Sequence, residues 1–284
     1  MIDLLKIGFH VSIIGRIDEA VDRAVEIGCN TFQIFTRNPR SWKAENLKRE
    51  EVKAFIEKVE KFDMQPVFAH MPYLANLASP RPNIYFLSVK TLKTELERCK
   101  ILKIPYLVTH LGSHLGSGKS EGFRRIIKAI NEAYGSVGGE VTLLLENTAG
   151  TKNSMGSSFE DIKYIIDNLK FPDFVGVCFD TAHAYAAGYD LRTQRAVQDV
   201  IRRFDEIIGF EKLRLVHLND SRGGLGSHID RHEHIGMGKI GEEGFRAILK
   251  SKLGSLPLIM ETPIDNRRSD VENLLKVLEL AGLK

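Results

Sequence analysis

Val175-Gly176-Val177-Cys178-Phe179 is a run of small and apolar residues, and it ends at once on a carboxylate, Asp180. Five other stretches share this design. Pro66-Val67-Phe68-Ala69 leads into His70, Tyr106-Leu107-Val108-Thr109 into His110, and Leu143-Leu144-Leu145 into Glu146. Leu213-Arg214-Leu215-Val216 leads into His217, and Leu258-Ile259-Met260 into Glu261. In chain order the six terminal residues lie 40, 36, 34, 37 and 44 positions apart, each spacing fitting one strand and one helix. A chain that repeats β-then-α at this pitch brings the C-terminal ends of its strands to one mouth. Any one of these residues could simply end a strand at the surface. Six in six, drawn only from His, Asp and Glu, are the donors that divalent cations take. Three carboxylates buried beside three imidazoles would also be very costly to keep together unless cations neutralised them.

Two further strands precede the six, Leu5-Lys6-Ile7-Gly8-Phe9-His10 and Thr31-Phe32-Gln33-Ile34-Phe35-Thr36, which makes eight. Helical periodicity lies between them. Ile17, Ala20, Val21 and Ala24 share a face that Gly28 can close. Val89, Leu92, Leu96 and Cys99 mark a second face, and Phe123, Ile126, Ile127, Ile130 and Tyr134 a third. Val271, Leu274, Leu275 and Leu278 mark the last, with Asp270 as its start signal, as Ser158 is before Phe159-Glu160-Asp161. The longest polar loops, 37–43, 71–83, 112–120, 148–157 and 221–240, all follow strands. The expectation is an α/β chain forming a single (β/α)8 TIM barrel over residues 1–284, with a metal centre at the C-terminal ends of its strands. Closure into a barrel, as against an open doubly wound sheet, rests on the count of eight.

At 284 residues, 43% hydrophobic and 27% charged, the chain has the composition of an ordinary globule with a large core. No stretch reaches the roughly 18 uncharged apolar residues that a membrane span needs, and Met1-Ile2-Asp3-Leu4-Leu5-Lys6 lacks the layout of a leader peptide. Cys29, Cys99 and Cys178 are scattered among apolar neighbours, which suggests buried thiols in a reducing compartment and hence the cytoplasm. A net charge of +3 neither demands nor opposes a nucleic-acid partner.

Asp180-Thr181-Ala182-His183 offers a second ligand three residues past the strand end, and Asp230-Arg231-His232 adds an acid and an imidazole in the loop after His217. The candidate ligands then number nine: His70, His110, Glu146, Asp180, His183, His217, Asp230, His232 and Glu261. That is too many for one ion, since zinc takes four and a catalytic zinc keeps one position open. A His-rich mixture with carboxylates suits zinc or manganese better than magnesium. Two ions about 3.5–4 Å apart clamp the attacking and leaving oxygens of a phosphoryl displacement, and a third can hold another phosphate oxygen. Of the other imidazoles, His114, His228 and His234 are expected at solvent or substrate, and His10 is left outside the ligand set. Gly112-Ser113-His114-Leu115-Gly116-Ser117-Gly118-Lys119-Ser120 fails the phosphate-loop pattern, because position 113 is Ser and not Gly; no nucleotide cofactor is expected. Arg40 and Trp42 after the second strand, and Tyr73 and Leu74 after the third, join polar groups to large apolar ones. Such side chains either wedge into a nucleic-acid stack or pack the barrel rim.

The blocks Ile7-Gly8-Phe9-His10-Val11-Ser12, Glu146-Asn147-Thr148-Ala149-Gly150, Phe179-Asp180-Thr181-Ala182-His183, His217-Leu218-Asn219-Asp220-Ser221 and Glu261-Thr262-Pro263 together resemble the endonuclease IV family of apurinic/apyrimidinic DNA-repair enzymes. The resemblance runs nearly end to end and implies three zinc ions, with manganese as an alternative occupant of one site. By position, His70, His110 and Glu146 would hold the first, and Glu146 would bridge to a second completed by Asp180, His217 and Glu261. His183, Asp230 and His232 would hold the third. Catalysis would turn on Glu146 and Glu261. The implied reaction is hydrolysis 5′ to an abasic site in duplex DNA, leaving a 3′-hydroxyl and a 5′-deoxyribose phosphate, with trimming of 3′ ends. Arg40, Trp42, Tyr73 and Leu74 would be the DNA-probing side chains. Departures from the family's usual pattern fall at Leu111, at Thr151 to Met155 and at Met237, none of them a ligand.

Two rivals share parts of this pattern. Sugar isomerases on the same barrel favour carboxylate-rich two-metal sites, against which five imidazoles and a separate third set argue. A catalytically silent lesion-binding protein would have lost a ligand, and none is lost. No protein partner is legible, and the lack of a heptad or sticky strand edge favours a monomer.

Overall fold

Parallel strands covered on both faces need apolar residues on both, so they read as unbroken hydrophobic runs. A computed structural model, which describes residues 5–283, places such runs in eight parallel strands. They are β1 (Ile7–Phe9), β2 (Phe32–Phe35), β3 (Val67–His70), β4 (Tyr106–His110), β5 (Thr142–Glu146), β6 (Val175–Asp180), β7 (Leu213–His217) and β8 (Leu258–Met260). Of the stretch read for a leader, Met1 to Lys6, the first four residues lie outside the described residues. Sheet order is β1-β8-β7-β6-β5-β4-β3-β2, which leaves a seam between β1 and β2. A parallel bridge from His10 to Gln33 crosses it, and the Val11 amide donates to the Gln33 carbonyl at 2.8 Å. The sheet is thereby a nearly closed TIM barrel.

Helices cover the outside: α1 (Glu19–Ile27), α2 (Arg49–Lys61), α3 (Pro82–Ile101), α4 (Lys119–Val137), α5 (Phe159–Asp167), α6 (Thr181–Ala187), α7 (Gln194–Ile207), α8 (Gly241–Leu249) and α9 (Asp270–Leu280). Gly28 closes α1 at φ 94°, in the left-handed region that glycine adopts without strain. Ser158 caps α5 by accepting the Asp161 amide. At α9 the expected start signal is corrected: the cap is Ser269, in a reciprocal capping box with Glu272, and Asp270 is already the first helical residue. Its expected apolar face is corrected as well. Leu274, Val277 and Leu280 are buried, together with Asn273, whereas Val271 and Leu275 are exposed, because α9 turns that flank to water.

Strand alternation divides the interior in two. Leu143, Leu145, Val177, Phe179, Val216 and Met260 pack outward in the core beneath the helices. Phe68, Val108, Leu144, Cys178, Leu215 and Ile259 are fully buried and form their own cluster, which plugs the barrel lumen. Removing one plug side chain, as in Leu144→Ala, is expected to cost on the order of 3 kcal/mol through lost contacts and a residual cavity.

The loop 221–240 is more ordered than its polar sequence suggests. Asp220–Ser221 and His232–Glu233 pair as a two-residue antiparallel ladder, too short to leave a periodic signal. Buried Asp220 gathers the loop, accepting the backbone amides of Ser221, Gly236, Gly238 and Ile240 at 2.8–3.0 Å. Gly238 passes so close that an added Cβ would sit 2.5 Å from Asp220 Oδ1. Among the described residues no helix is long and apolar enough to cross a membrane.

Candidate metal centre

Because a strand repeats every two residues, the side chain two positions past a lumen plug also points inward, one layer higher. Phe68 is followed in this way by His70, Val108 by His110 and Leu144 by Glu146. Cys178 is followed by Asp180, Leu215 by His217 and Ile259 by Glu261. The apolar plug is thus the floor of a ring of six ligand side chains at the barrel mouth.

Three groups within this ring and its loops bring ligand atoms within 4.8 Å of one another: His70, His110 and Glu146; Glu146, Asp180 and His217; and Asp180, His183 and His232. Glu146 divides its oxygens between two of them. Its Oε2 lies 3.3 Å from His70 Nε2 and 3.6 Å from His110 Nε2, and its Oε1 lies 3.4 Å from His217 Nδ1. Asp180 is shared too, with Oδ2 at 3.6 Å from His232 Nε2 and 4.0 Å from His217 Nδ1. Asp230 is half exposed and reaches the third group through His183 Nε2 at 3.2 Å. Glu261 Oε2 is 3.4 Å from His217 Nδ1.

Several buried lone-pair atoms converge here without a hydrogen-bond partner, among them Glu146 Oε1, His217 Nδ1 and His232 Nε2. Leaving such atoms unmatched costs on the order of 1–3 kcal/mol each, and divalent cations are the partners that nitrogen and carboxylate donors in this mixture take. Backbone carbonyls orient three of the imidazoles. The Nδ1–H groups of His70, His183 and His232 point at the carbonyls of Met71, Asn147 and Glu261, at 2.7, 3.0 and 3.1 Å, which leaves each Nε2 lone pair for the centre. Burial pushes the Glu146 carboxyl up, yet His110 and His217 outweigh it and hold the group well below the usual carboxylate range. Burial likewise disfavours the charged His183 imidazole, but Asp180 and Asp230 raise it well above its ordinary value. A coordinating imidazole gives up its proton, so cation binding at such a group releases protons.

Some supporting residues escaped the sequence reading. Asn219 donates to Asp180 Oδ2 at 2.7 Å and accepts the Glu261 amide at 2.8 Å, tying two candidate ligands together. Asn147 exchanges hydrogen bonds with the Asp180 backbone at 2.8 and 3.0 Å. Their signal was position alone, one or two residues past a strand-end ligand. Among the imidazoles expected at solvent or substrate, His234 is corrected: it is fully buried between Asp265 at 3.0 Å and Asn273 at 3.0 Å, because α9 folds back over its loop. His228 meets the Ala149 carbonyl at 3.0 Å, and His114 Nδ1 accepts the Gly116 and Gly118 amides of its own turn.

Above the ligands opens a cavity of about 920 Å3, lined by Tyr73, Leu74, Arg81, Thr148, Arg222 and Arg231 as well as by His110, His183, Asp230, His232 and Glu261. Tyr73 is 64% exposed, with its ring 5.8 Å from that of His70, so it stands between the centre and solvent. Trp42 does not line this mouth. It borders a separate hollow with Leu87, Lys90 and Thr94 of α3, since Arg37 and Arg98 draw its loop outward, while Arg40 is exposed.

A family model described as "Xylose isomerase-like TIM barrel" matches residues 21–280. A "Probable endonuclease 4" of Methanoculleus marisnigri is 53% identical over 98% of this chain and all of its own length. One of Nitrosopumilus maritimus is 50% identical over the same shares. The crystal structure of endonuclease IV from Thermus thermophilus superposes with a TM-score of 0.84 at 35% identity, covering 98% of each chain. With its full length matched at these identities, the chain belongs to the endonuclease IV family.

Proposed function

We propose that this chain, as a single domain over residues 1–284, is a zinc-dependent DNA-repair endonuclease. It hydrolyses the phosphodiester 5′ to an abasic site in duplex DNA, leaves a 3′-hydroxyl and a 5′-deoxyribose phosphate, and trims 3′ ends. The observation that carries this reading is Glu146, whose two oxygens face two different sets of ligand atoms from β3, β4, β6 and β7. In the proposal His70, His110 and Glu146 hold one ion, Glu146, Asp180, His217 and Glu261 a second, and His183, Asp230 and His232 a third, with Asp180 beside both later sets. Ions so held lower the pKa of bound water to roughly 7 and neutralise phosphate oxygens.

The chain's own residues do the rest. Glu146 sets the spacing between the first two sets, and the apolar floor of Phe68, Leu144 and Leu215 keeps water from entering the centre from below. Arg81, Arg222 and Arg231 put positive charge on the cavity wall, where a phosphate backbone would pass. Arg40, Trp42, Tyr73 and Leu74 are the side chains that probe the duplex in this proposal, with Tyr73 and Leu74 at the rim, placed to fill the stack beside a lesion that has no base.

Incubating the protein with a duplex carrying one abasic site, with and without a chelator, tests the reading. Chelator-sensitive incision on the 5′ side, with elemental analysis finding about three zinc ions per chain, is expected. Binding without incision in the loaded protein would favour a silent lesion-binding protein, and one ion or none in an active preparation would sink the three-metal scheme.

A further inference from the structure

Gln33 is a lone amide inside the apolar run of β2, and it is fully buried. The bridge that closes the barrel sets it level with His10, one residue beyond the Phe9–Met260 pair, and so level with Glu261. Its side chain makes three contacts there. Nε2 lies 2.9 Å from Glu261 Oε1 and 2.9 Å from His10 Nδ1, and Oε1 lies 2.9 Å from His217 Nε2.

These partners decide which end of the amide is which. Glu261 Oε1 is a carboxylate oxygen and only accepts, so the amide nitrogen must face it; the reverse orientation would set two acceptors against each other. The amide oxygen then faces His217 Nε2, which must carry the proton. His217 Nδ1 is left as the lone pair, and it is the nitrogen that lies 3.4 Å from both Glu146 Oε1 and Glu261 Oε2 with no hydrogen bond of its own. With Glu261 Oε1 engaged, Oε2 is the oxygen turned to the same point. The carbonyls that orient His70, His183 and His232 act on Nδ1 and leave Nε2, so His217 is presented the opposite way round, and a side chain, not the backbone, imposes it.

We propose that Gln33 is a positioning residue of the metal centre: it fixes the His217 tautomer and the Glu261 rotation so that Nδ1 and Oε2 converge on one cation. The inference rests on the metal-centre reading above but not on the DNA chemistry. Partners that orient ligands in this way are worth about 10–100-fold in metal affinity.

The zinc-loaded parent and Gln33→Leu, titrated with a chelator in the absence of DNA, test it. The variant should give up one equivalent of zinc at a chelator concentration about 10–100-fold lower than the parent, the other equivalents shifting little. Release like the parent's from a folded variant would overturn the proposal, as would equal weakening of every equivalent, which marks a merely structural role. Long-range 15N–1H spectra of the zinc-loaded parent decide independently of how the variant folds. A protonated His217 Nε2 supports the assignment, and a protonated Nδ1 overturns it. A parent that fails to cut abasic DNA, while the Gln33→Leu deficit in zinc is present, would overturn the proposed function and support this inference.

Discussion

Glu95 accepts a hydrogen bond from Arg37 Nε at 2.6 Å, with neither side chain more than 4% exposed. The other carboxylate oxygen accepts from Thr36 Oγ1 at 2.6 Å, and Arg98 donates to Thr36 Oγ1 at 2.8 Å and to the Glu45 carbonyl at 2.7 Å. This network lashes the loop after β2 to α3. Glu95→Ala would strand two buried guanidinium groups and is expected to cost about 3–5 kcal/mol. Urea unfolding checks it through the midpoint at unchanged slope; a loss below about 1 kcal/mol would show that the arginines find other partners.

Glu261→Gln should nearly abolish incision while the fold and most DNA affinity survive. Gln33 offers a donor to Oε1, so the new amide turns its oxygen that way and its NH2 toward the centre, where a ligand oxygen belongs. Activity within a few-fold of the parent would remove Glu261 from the catalytic ligands.

Tyr73→Ala combined with Arg40→Ala is expected to weaken binding of an abasic duplex by about 2–3 kcal/mol, on the scale of one unstacked step. Affinity for undamaged duplex, which rests on phosphate contacts, should change far less. Titrations of both duplexes at one salt concentration provide the check, and equal losses would assign these side chains to backbone contact or loop support.

Asp18 supplies a pH test away from the centre. It is 4% exposed, and Lys58 Nζ and Arg16 Nε donate to its carboxylate, each at 2.9 Å. Burial pushes this carboxyl up, but the two cations outweigh it and hold it below its ordinary value. A group depressed in the folded protein stabilises it above the unfolded value, near 3.9, and that contribution is lost as pH falls through the folded value. Asp18→Asn should therefore cost about 1 kcal/mol at pH 7, and the difference from the parent should narrow as pH falls below about 4. Thermal melts at pH 7 and pH 3 read this out; an equal deficit at both would mean that packing, not charge, is what was lost.

The barrel and its ring of six were legible because both depend on local rules. A strand covered on both faces must be apolar along its length, and a polar residue can end it only where it meets a ligand or water. Asp230 and His232 were legible only as a short loop motif. Gln33, Asn147 and Asn219 were not, because an amide in or just past an apolar run carries no sign of its partner until strands far apart in sequence are set in register. His234 was misplaced for a related reason: its polar loop is covered by Asn273, from a helix nearly 40 residues on.

The two-residue offset between lumen plug and ligand ring ties the centre to strand register. Sliding any of β3 to β8 by one position would turn its plug outward to the helices and its ligand with it, so a complete set of cation donors certifies six registers at once. Those donors extend in chain order from His70 on β3 to Glu261, which follows β8, the last strand of the barrel. A chain emerging from the ribosome therefore lacks Glu261, and with it the complete second set, until β8 closes against β1. Full cation capture is accordingly a late event, one that rewards the finished barrel and none of its truncated or misthreaded precursors.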